Sequence, residues 1–120
     1  MKYAIADSLQ SLKPGAEGVL RGSNYSGLEW LDSSQTKPTE TEVTNKITAL
    51  DAAEPMRLLR VERDARIAKT DWRASSDLTL ASAWSTYRQA LRDLPASASP
   101  KLDSDYELDL TSVTWPTEPS

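Results

Sequence analysis

The chain has 120 residues, 38% of them hydrophobic, with seven prolines, four glycines and a formal charge of −4; that length leaves no room for a second independently stable domain and predicts a thin core, with some residues dependent on a partner. It contains no His and no Cys, which removes zinc sites, thiol nucleophiles, disulfides and His-dependent triads. The acidic balance argues against a nucleic-acid binder driven by phosphate neutralisation. The apolar runs are short and residues 1–7 lack the apolar core of a signal peptide, which predicts a soluble, intracellular protein with no membrane span and no signal peptide.

The first predicted element is a short helix over residues 3–12, where Ile5, Leu9 and Leu12 are spaced four and three apart and Pro14-Gly15 stops the chain. Two short apolar runs, 18–22 and 28–32, flank Ser23-Asn24-Tyr25-Ser26-Gly27 and predict a β-hairpin. Such a hairpin is marginal alone, so Leu28 and Trp30 are expected to pack on a helix. Thr39 and Glu42 form a capping box ahead of Val43, Ile47 and Leu50, a helix expected to end near Glu54-Pro55, where a new helix can begin.

The strongest pattern follows. Leu58, Val61, Ala65, Ala68 and Trp72 are spaced three, four, three and four, and Leu80, Trp84, Tyr87, Leu91 and Leu94 are spaced four, three, four and three. Two such seams joined by a polar loop, Arg73 to Thr79, predict an antiparallel αα-hairpin ending at Leu94-Pro95, with Trp84 and Tyr87 filling the space beside Ala65 and Ala68. Pro95-Ala96-Ser97-Ala98-Ser99-Pro100 reads as an extended linker. Residues 1–53 carry five basic and seven acidic groups, 54–93 eight and six, and 94–120 one and five, so a mildly basic middle precedes an acidic tail. The predicted fold is α+β, mainly α. Its parts are an N-terminal helix, hairpin and helix module (1–54), the αα-hairpin (55–95), and an acidic linker with an extended C-terminal tail (96–120).

Arg57, Arg60, Arg63, Arg66 and Lys69 recur every third residue, but a three-residue step falls about 60° short of a full turn, so the charges wind round the helix. Asp64 lies four after Arg60 and Arg66 four after Glu62, which predicts local ion pairs and a solvated surface, with a partner-facing basic face as the other reading. Of four tryptophans, Trp30, Trp72 and Trp84 sit in periodic apolar patterns and are expected in the core. Trp115 lies in a tail that alternates Tyr106, Leu108 and Leu110, which either folds back as an edge strand or adds a strand to another protein. Trp115→Ala is expected to spare folding and weaken partner binding; a melting loss equal to that of Trp84→Ala would put the tail in the core. Asp103, Asp105, Glu107 and Asp109 alternate like calcium ligands but lack the glycine and closing glutamate of a calcium-binding hand. Gly15-Ala16-Glu17-Gly18 is no phosphate loop. No catalytic frame appears and no cofactor or metal is expected.

The run Arg57-x-x-Arg60-x-x-Arg63-Asp64-x-x-Ile67-x-x-Thr70-Asp71-Trp72, then Trp84-x-x-Tyr87-Arg88-Gln89-Ala90-Leu91-Arg92-Asp93-Leu94-Pro95, and finally Trp115-Pro116, resembles the phage tail assembly chaperone family. Tyr25-Ser26-Gly27-Leu28-Glu29-Trp30 and Lys37-Pro38-Thr39-Glu40-Thr41-Glu42 resemble an N-terminal module carried by some phage proteins of this kind. The loop Arg73 to Thr79 is less proline-rich, and residues 96–112 are longer and more acidic, than the family pattern. The resemblance implies a non-enzymatic protein that binds a tail-fibre or other tail protein so that it folds, trimerises or attaches without aggregating. It would act in the host cytoplasm during assembly, with no nucleic-acid or membrane partner and with self-association left open. The alternative is a structural virion protein that stays bound to the tail or fibre. The expected partner-binding residues are Arg57, Arg60, Trp72, Trp84, Tyr87, Arg88 and Trp115.

Overall fold

The computed structural model of the chain describes residues 2–74 and 80–119. These form, in order, α1 (Ile5–Leu12), β1 (Gly18–Leu20), β2 (Leu28–Trp30), α2 (Glu40–Ala68) and α3 (Ser82–Ser97), with 3₁₀ turns at Tyr25–Gly27, Asp71–Ala74 and Leu110–Ser112. The mainly helical α+β class is the one expected. The chain divides into two compact units, Met1–Ala53 and Glu54–Ser120.

In the first unit, the Asp7 carboxylate accepts from the Ala4 N–H at 2.9 Å and opens α1. Lys13 closes the helix by donating to the Leu9 carbonyl at 2.8 Å, before Gly15 turns the chain at φ 73°. β1 and β2 pair antiparallel, with Gly18 opposite Trp30 and Leu20 opposite Leu28. The Arg21 N–H donates to the Gly27 carbonyl at 2.8 Å, and a Cβ on Gly27 would stand 1.9 Å from the Arg21 carbonyl oxygen, so this crossing requires glycine. Below the hairpin, Asp32 accepts from the N–H of Glu17, Ser34 and Gln35 and from the Ser34 hydroxyl, all within 2.9 Å. These donors, the Glu17 N–H first, hold its carboxyl down at a pKa of about 2. The capping box forms as expected: Glu42 N–H donates to Thr39 Oγ1 at 3.1 Å and Thr39 N–H to Glu42 Oε1 at 3.2 Å. Val43 and Ile47 are buried, and the fully buried Ser8 hydroxyl donates to the Val43 carbonyl at 3.0 Å. Leu28 is buried, while Trp30 is only half-buried, its indole N–H donating to the Gln35 carbonyl at 2.9 Å.

The structure corrects two helix ends. α2 runs through Pro55 as one helix of 29 residues instead of ending near Glu54. A proline removes one helical hydrogen bond, here the one to the Asp51 carbonyl, and the cost of about 3 kcal/mol is offset by side chains buried on either side, Ile47 before it and Leu59 after it. Likewise α3 continues past Pro95 to Ser97, where the Ala98 N–H closes it by donating to the Leu94 carbonyl at 3.0 Å.

In the second unit α2 and α3 run antiparallel, as expected: Leu59 packs with Leu94, and further along Ile67 packs with Trp84, Tyr87 and Leu91. Trp84, Tyr87, Leu91 and Leu94 are buried, so the α3 seam stands. The seam on α2 does not. Val61 and Trp72 are 56% and 58% exposed, Ala65 and Ala68 are exposed and Leu58 is half-buried. The inward side carries Met56, Leu59, Ile67 and Thr70 instead, together with the half-buried arginines 63 and 66. Thus Trp84 and Tyr87 pack against Ile67 and Leu80 instead of filling space beside Ala65 and Ala68. The two aromatic rings meet edge to face, with centroids 5.8 Å apart.

The tail folds back without forming an edge strand. Residues 98–119 contain a single bridge, Leu102 to Leu108, and the 3₁₀ turn. The turn begins at Asp109, whose Oδ1 accepts from the Thr111 hydroxyl at 2.6 Å and N–H at 3.0 Å. Val113 is buried in the Leu59–Leu94 cluster, and Trp115 packs against both clusters. Of the expected loop Arg73 to Thr79, residues 75–79 lie outside the described residues.

Candidate functional site

The end of α2 is fastened by a side chain from α3. A helix leaves its last carbonyls without backbone donors, and a cation there satisfies them and complements the dipole. Arg88 Nη1 donates to Thr70 Oγ1 at 2.6 Å, to Asp71 Oδ1 at 2.9 Å and to the Ile67 carbonyl at 3.4 Å. The Thr70 hydroxyl in turn donates to that same carbonyl at 2.7 Å. Thr70 is 2% exposed and the Arg88 side chain 14%, so this bracket is largely shielded from water. Its consequence is a fixed exit direction for Asp71-Trp72-Arg73. The exposed Trp72 ring lies 4.4 Å from the Arg73 guanidinium, which is itself 3.8 Å from the ring of the buried Trp84. An aromatic side chain thus stands in water on a cation anchored to the core.

Along α2 the arginine ladder separates into different roles. Arg57 forms an ion pair with the buried Glu54, its Nε at 2.9 Å and 3.1 Å from the two carboxylate oxygens. Asp64 pairs with Arg63 at 2.8 Å instead of the expected Arg60, because the adjacent guanidinium reaches it first. The expected Arg66–Glu62 pair forms at 3.0 Å. Arg66 also covers the Trp115 ring at 4.0 Å, while the Trp115 indole N–H donates to the Leu110 carbonyl at 3.2 Å. Arg60 and Lys69 are exposed and make no ion pair among the described residues.

The seven residues singled out from the sequence therefore occupy three environments. Arg57, Arg60 and Trp72 are exposed. Trp84 and Tyr87 are in the core, whereas Trp72, whose spacing predicts a core position, is 58% exposed because α2 ends at Ala68 and its inward side is the other one. Arg88 and Trp115 are half-buried fasteners, one for the hairpin tip and one for the tail. Thr70, Asp71, Trp72, Trp84 and Arg88 come together at the tip; Arg57 and Arg60 lie well back along α2. The sequence reading missed Arg73 and Arg66 as aromatic partners. Arg73 follows Trp72 directly, a weak signal, and nothing in the spacing links Arg66 to Trp115 forty-nine positions on.

A cleft of about 220 Å³ beside Tyr87 is lined by Glu62, Arg66, Lys69 and Glu118, and another of about 170 Å³ in the first unit by Leu9, Lys13, Leu20, Leu28 and Trp30. Among the described residues no three carboxylates converge as a metal site, and Asp103 Oδ1 is occupied by the N–H groups of Asp105 and Glu107. No helix is long and apolar enough to cross a membrane among the described residues.

The phage tail assembly chaperone protein family matches residues 56–120, more than half of the chain, which takes in α2 from Met56 onward, α3 and the tail. The chain belongs to that family. No curated protein and no solved structure matches it.

Proposed function

We propose that this member of the phage tail assembly chaperone family is a non-enzymatic chaperone for a tail-fibre protein, holding it while it folds, trimerises or is attached. The observation that carries the reading is the hairpin tip: within the family-matched segment, Arg88 fixes a Thr70-Asp71-Trp72-Arg73 turn that presents a 58% exposed indole to solvent. A large exposed aromatic on a rigid, hydrogen-bonded support has the chemistry of an interface anchor, because it adds apolar contact at little entropic cost. Arg57, Arg60 and Trp72 are the residues that meet the partner; Trp84, Tyr87, Arg88 and Trp115 keep their platform in shape. The chaperone acts in the host cytoplasm, where tails are assembled.

A chaperone of this kind works by occupying apolar or strand-edge surface that would otherwise pair wrongly. Co-expression with the fibre protein tests it. Soluble fibre trimer is expected to rise when this chain is present and to fall back with Trp72→Ala; an equal yield with and without the chain refutes the role. The same preparation separates this reading from a retained virion protein, since a released chaperone is missing from purified particles.

A further inference from the structure

β1 is one edge of a two-stranded sheet, and the ladder fixes which way its backbone points. The Leu31 N–H donates to the Glu17 carbonyl at 3.1 Å and the Arg21 N–H to the Gly27 carbonyl at 2.8 Å. With Val19 opposite Glu29, residues 17, 19 and 21 are therefore the ones that bond towards β2. The N–H and carbonyl groups of Gly18 and Leu20 point the other way and have no hydrogen-bond partner among the described residues. On the opposite edge of the hairpin the Leu28 N–H already donates to the Tyr25 carbonyl, so β1 is the edge left whole. Gly18 and Val19 are exposed and Leu20 is half-buried.

An open strand edge is completed by the backbone of another strand, and the residues around Val19 suit a second copy in one register. Antiparallel pairing about a two-fold axis at Val19 sets Gly18 of each copy against Leu20 of the other, so all the outward N–H and carbonyl groups exchange bonds. The neighbouring registers do not. Centring on Gly18 calls on the Ala16 N–H, which already donates to the Lys13 carbonyl at 3.1 Å, and centring on Leu20 calls on Gly22, which leaves the strand at φ 81°. The side chains agree with the Val19 register. Glu17, which has no ion pair among the described residues, falls opposite Arg21 of the second copy at both ends of the pair. The two Val19 side chains, 40% exposed in a single copy, meet at the axis. On the other face Leu20 of each copy comes beside the bare Gly18 of the other, at the cleft of about 170 Å³ that Gly18, Leu9 and Trp30 help to line.

We propose that the β1 edges of two copies of this chain join antiparallel about Val19, giving one continuous sheet of strand order β2–β1–β1–β2. A two-stranded sheet is marginal alone and a wider one is not. The surface lies outside the family-matched residues 56–120 and stands independently of the chaperone reading.

Sedimentation equilibrium of the full chain is expected to show a monomer–dimer equilibrium, which Val19→Lys should weaken about tenfold by setting like charges across the axis. The hairpin itself should survive, because Val19 is exposed and faces Glu29; continued hydrogen-exchange protection of the Arg21 amide checks this. The register is read from charge variants. Glu17→Arg alone and Arg21→Glu alone each place like charges at both ends of the pair and should self-associate less, whereas mixing the two restores opposite charges at both ends and should restore the dimer. The Arg21–Glu29 pair that Arg21→Glu gives up is exposed, so the hairpin loses little by it. A chain still monomeric at roughly 0.5 mM overturns the proposal. Protection of the Gly18 and Leu20 amides that appears only with the fibre protein also overturns it, since the occupant is then a strand of another chain. So does a dimer untouched by Val19→Lys, which is held elsewhere, or one that the mixed charge variants fail to restore, which has another register.

Discussion

Replacing Trp115 by Ala separates a folded-back tail from a free one. The indole packs against the Leu59–Leu94–Val113 cluster and the Trp84–Tyr87–Leu91 cluster at once, lies under the Arg66 guanidinium at 4.0 Å and donates to the Leu110 carbonyl at 3.2 Å. A fully packed Trp buries about 150–250 Å². A half-buried one truncated to Ala loses on the order of 100 Å² of contact, worth about 2.5 kcal/mol at 25 cal/mol/Å². The cation–π contact adds about 0.5 kcal/mol at a partly exposed site, and the expected loss is about 3 kcal/mol. For a unit of this size each kcal/mol moves the midpoint by about 4–8 °C, so Trp115→Ala should lower it by roughly 15 °C.

Thermal unfolding followed by circular dichroism reads this, with two controls. Trp84→Ala removes a buried ring and should cost about 3–5 kcal/mol. Trp72→Ala removes an exposed one and should stay within about 0.5–1 kcal/mol of the unaltered chain. The order of midpoints should be Trp72→Ala highest, then Trp115→Ala, then Trp84→Ala. A Trp115→Ala midpoint level with that of Trp72→Ala refutes the placement of the tail in the core, and restores a tail that is free to dock elsewhere.

Arg88→Met keeps the aliphatic stem and removes the cation, leaving the Thr70 bracket without its donor; the cost should be about 1–3 kcal/mol, with little of it from the exposed Asp71, and the Arg73 amide should lose hydrogen-exchange protection. Unchanged protection there contradicts the bracket. Gly27→Ala should open the β-hairpin, because its Cβ meets the Arg21 carbonyl oxygen at 1.9 Å; exchange at the Arg21 amide reports it, and an amide as protected as before rejects the crossing. Asp32, held down at a pKa of about 2 from an ordinary 3.8, stabilises the first unit above about pH 4. That stability should drain away as pH falls from about 4 towards 2, and Asp32→Asn should flatten this part of the acid-unfolding curve; an identical curve for the variant argues against it.

Local chemistry was readable from the sequence and long-range packing was not. The Thr39–Glu42 box needs only residues three apart, and it forms between those two side chains. Trp84, Tyr87, Leu91 and Leu94 all face inward because α3 has one apolar side and no competitor. Pro55 and Pro95 read locally as helix ends, since a proline does remove a hydrogen bond; burial before and after Pro55 offsets that loss, and only one turn remains to be completed after Pro95. Trp115 gave no periodic signal, because a tail held by single contacts to two different clusters repeats nothing.

The inversion of α2 has a more specific cause. Its inward side is interrupted by Arg63 and Arg66, whose side chains are 21% and 26% exposed. Their aliphatic stems cover the core while their guanidinium groups reach Asp64, Glu62 and the Trp115 ring. A reading that counts apolar residues scores that side lower than Leu58, Val61, Ala65, Ala68 and Trp72, although the arginine side is the buried one. Periodicity finds the most apolar face of a helix, and burial within the same chain is only one reason for a face to be apolar. On α2 the two criteria part: the more apolar face, with Val61, Ala65 and Ala68 exposed, stands outside, and the arginine-bearing face is the one that packs on α3 and the tail.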